Sequence, residues 1–329
     1  MTTMPRRRSL LLAVALLVGA CQGQAPSIQP QPIASVSPTE RPAPAVTPRP
    51  SREPSPAASP TPNEDLTERP FTVLLLGADH EGRTDTIMVV GVDVPRKTMS
   101  IASIPRDTVN VPLPGGGTYT NQKINAFWNH AAASADRYPD GPGPATVDLV
   151  GLLLDIEIDF YARTTFGGFT ALADAMGGVE ITLPKALSDP YYQITIKQVG
   201  IRFPAGAQRL DGDRALMFVR TRKADNDFER QRRQQAFLLA AGRQLLADPG
   251  LLAGLLAAQR NLQSDFPLAQ APALLLAIGD VDTWTINQAV LGPTRYETAT
   301  SCPCGYALAP KLDEFAKLGA LYYPWAVRR

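Results

Sequence analysis

The chain has 329 residues, 44% of them apolar and 19% charged, with a formal net charge of +1. That is enough length for one large domain or two ordinary ones and enough apolar material for a core, so a chain disordered throughout is excluded. The balanced charge, with a sequence pI near 7.7, excludes a general nucleic-acid binder, whose surface would be broadly cationic.

The first 21 residues, MTTMPRRRSLLLAVALLVGAC, are basic at positions 6–8, apolar over 10–18 and small just before Cys21. This is the pattern of a secretory signal, and its apolar run falls short of the roughly 20 residues a spanning helix needs. Gly19 and Ala20 ahead of Cys21 also read as a lipoprotein box, with Cys21 lipidated as the first residue of the mature chain. The alternative is an ordinary cleaved signal that contains a cysteine. An exported chain seldom leaves an odd thiol unused, which favours the lipid. Cys302 and Cys304 are separated by Pro303 alone and, with only two histidines in the chain, are not expected to complete a four-ligand zinc site. An oxidised or free pair in a surface loop, without catalytic duty, is expected.

Residues 22–70 are rich in Pro, Ser, Thr and Ala, a composition that buries no core and stays extended. Such a segment gives reach from an anchor, at up to ~3.1 Å per residue in a polyproline conformation. The folded part, a single domain over 71–329, is expected to open on FTVLLLGAD, a buried strand, followed by TIMVVGVDV and TMSIASIPRD as two further strands around the turn DVPRKT. TVDLVGLLLD has helical spacing, IDFYARTTF returns to strand, and FTALADAMGGVEITLP reads as a helix, a stop at Gly177 and Gly178, and a strand. ALMFVRTR is read as a strand and FERQRRQQAFLLAAGRQLLA as a helix, with PGLLAGLLAAQRNL and LAQAPALLLAIG as further apolar helices. Strands mixed with helices predict an α/β or α+β sandwich, a central mixed sheet flanked by helices.

VRTRKADNDFERQRRQQ concentrates five arginines, Arg220, Arg222, Arg230, Arg232 and Arg233. On a strand, Arg220 and Arg222 share one face at its carboxyl end; on the next helix, Arg230, Arg233 and Gln234 share another, while Arg232 points away. Four arginines, with Gln234 beside them, then converge on one crevice, an arrangement suited to a diphosphate. Ion pairs with Asp225, Asp227 and Glu229 on a solvated loop are the alternative reading of this stretch. Elsewhere, LLLGADHEGRTDT places Asp79 beyond the first strand and Asp85 after a short loop, with Arg83 between them, and SIPRDT adds Arg106 and Asp107 at a neighbouring strand end. Carboxylates there suit a hard cation such as Mg²⁺, which binds through one or two carboxylates, phosphate oxygens and water. Carboxylates and arginines on one sheet edge are what metal-assisted phosphoryl transfer requires.

LLLGAD, RTDTIMVV, SIPRDT, KINAF, DAMGGVEI, LDGDRALMFVRTR and DFERQRRQQ occur in that order over residues 71–235. In this the chain resembles the LytR-CpsA-Psr family of bacterial cell-envelope proteins. The resemblance implies an extracytoplasmic, Mg²⁺- or Mn²⁺-dependent transferase that moves a glycopolymer phosphate from undecaprenyl diphosphate to peptidoglycan, commonly the 6-hydroxyl of N-acetylmuramic acid, at the outer face of the cytoplasmic membrane. It implies Asp79 and Asp85 as metal ligands, Arg106, Arg220, Arg222, Arg230 and Gln234 as diphosphate ligands, with Arg83 and Arg233 standing between ion pair and phosphate ligand, and an apolar groove for the polyprenyl tail. Asp85 or Asp107 would take the proton of the attacking hydroxyl, Asp85 ranking first, with metal activation as the other route. The loop between Asp79 and Asp85 is shorter than is usual in the family, and a lipid on Cys21 would replace the family's usual N-terminal membrane helix. Competing readings are a non-catalytic lipoprotein that binds polyprenyl-linked glycans and a diphosphate hydrolase that uses water. Lys123 and Asn125 read as a loop-fixing pair or substrate contacts, His80 and His130 as solvent-facing loop residues, and Trp128 as core.

Overall fold

The structure is a computed structural model that describes residues 64–194, 198–298 and 302–328. The expected signal sequence, Cys21 and most of the proline-rich segment therefore lie outside the described residues. Leu66, at the end of the stretch read as linker, is buried and its N–H donates to Gln270. The last residues of that stretch thus belong to the fold.

Three strands form the middle of the sheet: β1 (Phe71–Ala78), β2 (Thr84–Asp93) and β3 (Thr98–Ser103). All are antiparallel in sequence order. Their near-continuous apolar runs reflect cover on both faces. Alternation sends Val73, Met88, Val90 and Ile101 into one core and Leu74, Leu76, Ile87 and Val89 into the other.

A small hairpin, β4 (Val111–Pro112) and β5 (Thr118–Tyr119), leads to α1 (Phe127–Ala132) and α2 (Pro142–Leu154). β6 (Phe160–Thr165) then returns parallel to β1 and runs directly into α3 (Phe166–Ala175), capped by the Thr165 hydroxyl. Gly177 and Gly178, both left-handed, end that helix and turn the chain into β7 (Val179–Leu183). A peripheral hairpin, β8 (Leu187–Gln193) and β9 (Val199–Phe203), precedes β10 (Gly206–Leu210), which pairs with β7.

The segment read as a strand, ALMFVRTR, is a helix. In α4 (Gly212–Arg220), Asp211 caps the N-terminus and Ala215, Phe218 and Val219 are buried at i, i+3 and i+4. The helical period and the Asp cap outweigh the β-like apolar run. α5 (Asp227–Ala247), capped by Asn226, is the long helix expected. α6 (Leu251–Ala258), β11 (Leu262–Ser264) and α7 (Ala271–Ile278) follow. β12 (Thr285–Val290) adds parallel to β3, and β13 (Tyr296–Thr298), β14 (Leu308–Pro310) and α8 (Leu312–Tyr322) close the described chain.

The sheet order is β11-β6-β1-β2-β3-β12, mixed in direction. Residues of α3 to α7 share the core on one face, and those of α1, α2 and α8 share the core on the other. This is the expected α/β sandwich. Gly91 is required where the second layer meets the sheet, because a Cβ there would lie 2.7 Å from the Tyr323 ring, whose hydroxyl donates to Val89 O. Cys302 and Cys304 are joined as a disulfide.

Candidate functional site

The loop between β1 and β2 is folded around one carboxylate. Asp79 Oδ1 accepts from the Glu81 and Arg83 amides, both at 2.9 Å, and Oδ2 accepts from Arg83 Nε at 3.1 Å. Burial alone would raise the Asp79 pKa, but the hydrogen bonds from Arg83 and Glu81 outweigh it and hold the carboxyl below the usual range. Arg163 on β6 braces the same loop by donating to Gly82 O, and its guanidinium stacks 4.5 Å over the buried Trp128 ring. Little in the sequence marks Arg163, an arginine in the middle of the strand segment FYARTT.

Where the loop rejoins the sheet, Gly77 pairs with Thr86 and Ala78 with Thr84, so Asp85 is the extra residue of a β-bulge. A bulge re-aims its side chain. Asp85 forms an ion pair with Arg106, which lies just past β3. Burial would lower the Arg106 pKa, yet Asp85, Asp107 and Asp227 together raise it, so this guanidinium stays charged. Asp107 in turn pairs with Lys123 at 2.7 Å. Lys123 is thereby a partner of a site carboxylate, while the Asn125 carbonyl accepts from Thr84.

The other wall is the α4–α5 junction, and the arginines reach it from helices rather than from a strand end. Arg220 ends α4, with its guanidinium 4.0 Å over the Phe166 ring and donating to the Tyr192 hydroxyl. Arg222 follows at the turn, half exposed. Arg230, only 3% exposed, donates to Asp85 O at 3.1 Å and pairs with Asp227 at 3.0 Å. Burial pushes its pKa below the ordinary arginine value, partly offset by Asp227. Gln234, one turn on, donates to Val219 O. Arg233 has a different place from the one expected: it binds Phe218 O, Thr221 O and Asp225, fastening α4 to α5. Its donors serve the frame of the crevice rather than its lining. Arg232 pairs with Glu229 at the surface.

Arg220, Arg222, Arg230, Gln234 and Asp85 form the mouth of a groove of about 210 Å³ between the sheet and helices α3 to α6. Inside, the lining is apolar, from Leu75, Met88 and Ala162 on the sheet to Phe169, Met176 and Leu255 on the helices. One stripe of α5 runs its length: Arg230 and Gln234 at the mouth, then Phe237, Ala241 and Leu245. At 1.5 Å per residue the 15 rises from Arg230 to Leu245 span roughly 22 Å. A second, polar cavity of about 390 Å³ lies beyond Arg106, with Arg83, Asp107 and Lys123 in its walls.

His80 is exposed, as expected of a loop residue, whereas His130 is half-buried in α1 among Tyr119, Phe127 and Tyr138. Among the described residues no group of three or more His, Cys, Asp or Glu side chains is gathered to hold a metal. Two carboxylates on adjacent strand ends nevertheless fit a divalent cation that takes its other ligands from phosphate and water. A carboxylate oxygen has two lone-pair sites, and Asp79 Oδ2 uses one of them for Arg83 Nε.

Residues 46–293 match the sequence model of the LytR_cpsA_psr family. The chain belongs to the LytR-CpsA-Psr family. It is 34% identical over 184 residues to the polyisoprenyl-teichoic acid–peptidoglycan teichoic acid transferase TagV of Bacillus subtilis (strain 168), across 54% of this chain and 44% of that one. It spans about half or less of the length of the curated relatives it matches. The crystal structure of B. subtilis TagV superposes with a TM-score of 0.61 at 26% identity, covering 78% of this chain and 98% of that one. A structure of TagT bound to LIIa-WTA gives 0.60 at 26% identity, covering 80% and 92%. The LytR-CpsA-Psr motifs quoted above thus supply both walls of the groove mouth. Among the described residues no helix is long and apolar enough to cross a membrane.

Proposed function

We propose that the protein transfers a glycopolymer, with its phosphate, from undecaprenyl diphosphate to a peptidoglycan hydroxyl, the 6-hydroxyl of N-acetylmuramic acid or a similar acceptor. The observation that carries this is the α5 stripe, which changes from Arg230 and Gln234 to Phe237, Ala241 and Leu245 along one groove. An amphiphile with a highly charged head and a long apolar tail is its chemical complement. The relative TagV, named as a polyisoprenyl-linked teichoic acid transferase, supports the same class.

In this reading, Arg220, Arg222, Arg230 and the Gln234 amide hold the diphosphate oxygens while the tail fills the groove. The acceptor hydroxyl oxygen attacks the phosphorus nearer the glycan. The bond from that phosphorus to the bridging oxygen breaks, and undecaprenyl phosphate leaves with the electron pair. The arginines stabilise charge on the transferring and leaving oxygens. Asp85 is the one carboxylate lining the mouth among the described residues and is held by Arg106, which places it to take the hydroxyl proton. Mg²⁺ or Mn²⁺, when bound by Asp79 and Asp85, supplies further neutralisation of the diphosphate charge.

We also assign the protein to the outer face of the cytoplasmic membrane, tethered by a lipid on Cys21; metabolic labelling with an alkynyl fatty acid should mark wild type and not Cys21→Ala. The test of the transferase is to incubate the full chain with a short glycan on polyprenyl diphosphate, Mg²⁺ and peptidoglycan oligomers, reading products by mass spectrometry. A glycan-phosphate-muropeptide adduct that disappears in Asp85→Ala is expected. Free glycan phosphate without adduct would point to the hydrolase, and tight lipid binding with no product to the non-catalytic binder.

A further inference from the structure

In the proposed function the groove takes the lipid and its diphosphate, and the polar cavity beyond Arg106 lies next to it. The two cavities share a wall. Asp85 lines the mouth of the groove, Arg106 lines the polar cavity, and the two side chains are ion-paired to each other. A ligand in the polar cavity therefore sits one side chain away from the diphosphate end of the groove.

The lining defines the ligand. Its walls are mainly polar, from Arg83, Arg106, Asp107, Asn121, Gln122, Lys123 and Asn125, with Ala126 and the disulfide-bonded Cys304 as the apolar part among the described residues. At about 390 Å³ it falls within the range of small-ligand sites, ~300–1,000 Å³, yet it lacks the apolar walls such sites usually have. Each charged side chain of the lining is ion-paired, Lys123 with Asp107, Arg106 with Asp85 and Arg83 with Asp79 and Glu81. The side-chain amides of Asn121, Gln122 and Asn125 beside the Lys123–Asp107 pair offer donors and acceptors together, which suits a polyhydroxylated ligand. Asn121 sits in a left-handed turn with φ 62° and the Gln122 amide oxygen accepts from the Tyr119 hydroxyl, which places both exposed residues at the rim.

We propose that this cleft is the subsite for the acceptor sugar, with the Asn121 and Gln122 amides and the Lys123–Asp107 pair orienting its hydroxyls toward the diphosphate. The assignment rests on the transferase reading for its reaction, though not for its binding. Because an uncharged sugar brings no net charge to the cleft, acceptor affinity should respond to salt less than donor affinity, which falls as salt rises.

The test uses two exposed rim positions. Asn121→Gly removes the amide and keeps the turn, since glycine takes positive φ freely; Gln122→Leu removes the other amide. With the full chain, each substitution should raise the acceptor KM about fivefold, as expected for one lost hydrogen bond, with kcat at saturating acceptor and Kd for the polyprenyl diphosphate donor within about twofold of wild type. An unchanged acceptor KM in both variants overturns the proposal. A raised donor Kd with unchanged acceptor KM also overturns it, assigning the cleft to the donor's glycan. A second arm titrates a peptidoglycan oligosaccharide alone into wild type and variants by calorimetry. If wild type transfers nothing but binds the oligosaccharide, and the variants bind it more weakly, the transferase reading fails and the subsite stands; equal binding by all three removes the subsite.

Discussion

Replacing Arg230 by alanine separates the head of the groove from its tail. Its guanidinium is 3% exposed, pairs with Asp227 and donates to the Asp85 carbonyl. Loss of a buried, charge-assisted diphosphate ligand should cost about 3 kcal/mol of donor affinity, on the order of a hundredfold in Kd. The fold should suffer less. Asp227 is partly exposed and keeps Gln231 as a donor and Arg222 nearby, so the stability loss is expected at about 1–2 kcal/mol, below the cost of breaking a fully buried pair. The assay is equilibrium binding of a fluorescent polyprenyl diphosphate and of the matching polyprenyl alcohol, which has the tail without the head. Arg230→Ala should weaken the first about a hundredfold and leave the second within about threefold. Arg230→Lys should fall between, because lysine keeps the charge and loses the planar fork. Equal weakening of diphosphate and alcohol would mean that Arg230 shapes the groove rather than binding the head of the ligand.

Ala241→Phe fills the apolar groove at mid-length, so binding of a long-chain diphosphate should drop at least tenfold while a short-chain diphosphate binds as before, read by the same titration. Asp79→Asn should lower stability by about 1–2 kcal/mol at neutral pH, because the amide cannot accept all the bonds that close the loop. The native carboxyl is depressed, so its contribution is present above the unfolded value near 4 and is lost as pH falls through the folded value; wild-type and variant denaturation curves should converge on acidification. Arg233→Ala should lower stability by roughly 2–3 kcal/mol in urea, through the loss of its bonds between α4 and α5, whereas Arg232→Ala at the surface should stay within about 0.5 kcal/mol.

The parts of the fold that were legible are those where one physical signal dominates. β1 to β3 are continuous apolar runs with turn residues between them, and α3 stops on two glycines that adopt left-handed backbone. α4 was misread because LMFV satisfies a strand as well as a helix; the deciding residue was Asp211, whose carboxylate caps the Arg214 amide. β12 gave no signal, since Asn287 and Gln288 interrupt its apolar residues and an edge strand needs no continuous run. At the site, the residue types were readable and their geometry was not. The bulge that turns Asp85 toward the groove depends on strand register, which only the pairing of β1 with β2 fixes. Arg233 and Arg230 lie three residues apart on one helix, yet one binds carbonyls of α4 and the other faces the mouth, a difference set by where the preceding turn ends. Arg163 was invisible for the same reason, its role arising from Trp128 and the Gly82 carbonyl brought in from distant segments.

In the proposed function one stripe of α5 takes a polyprenyl diphosphate from head to tail. A polyprenyl diphosphate carrying a diazirine on an inner isoprene unit should be irradiated with the full chain and the adduct mapped by peptide mass spectrometry. Labelling at Phe237, Ala241 or Leu245, suppressed by unlabelled diphosphate, is expected. Labelling confined to surface residues outside the groove, or labelling that unlabelled diphosphate does not suppress, would contradict that reading.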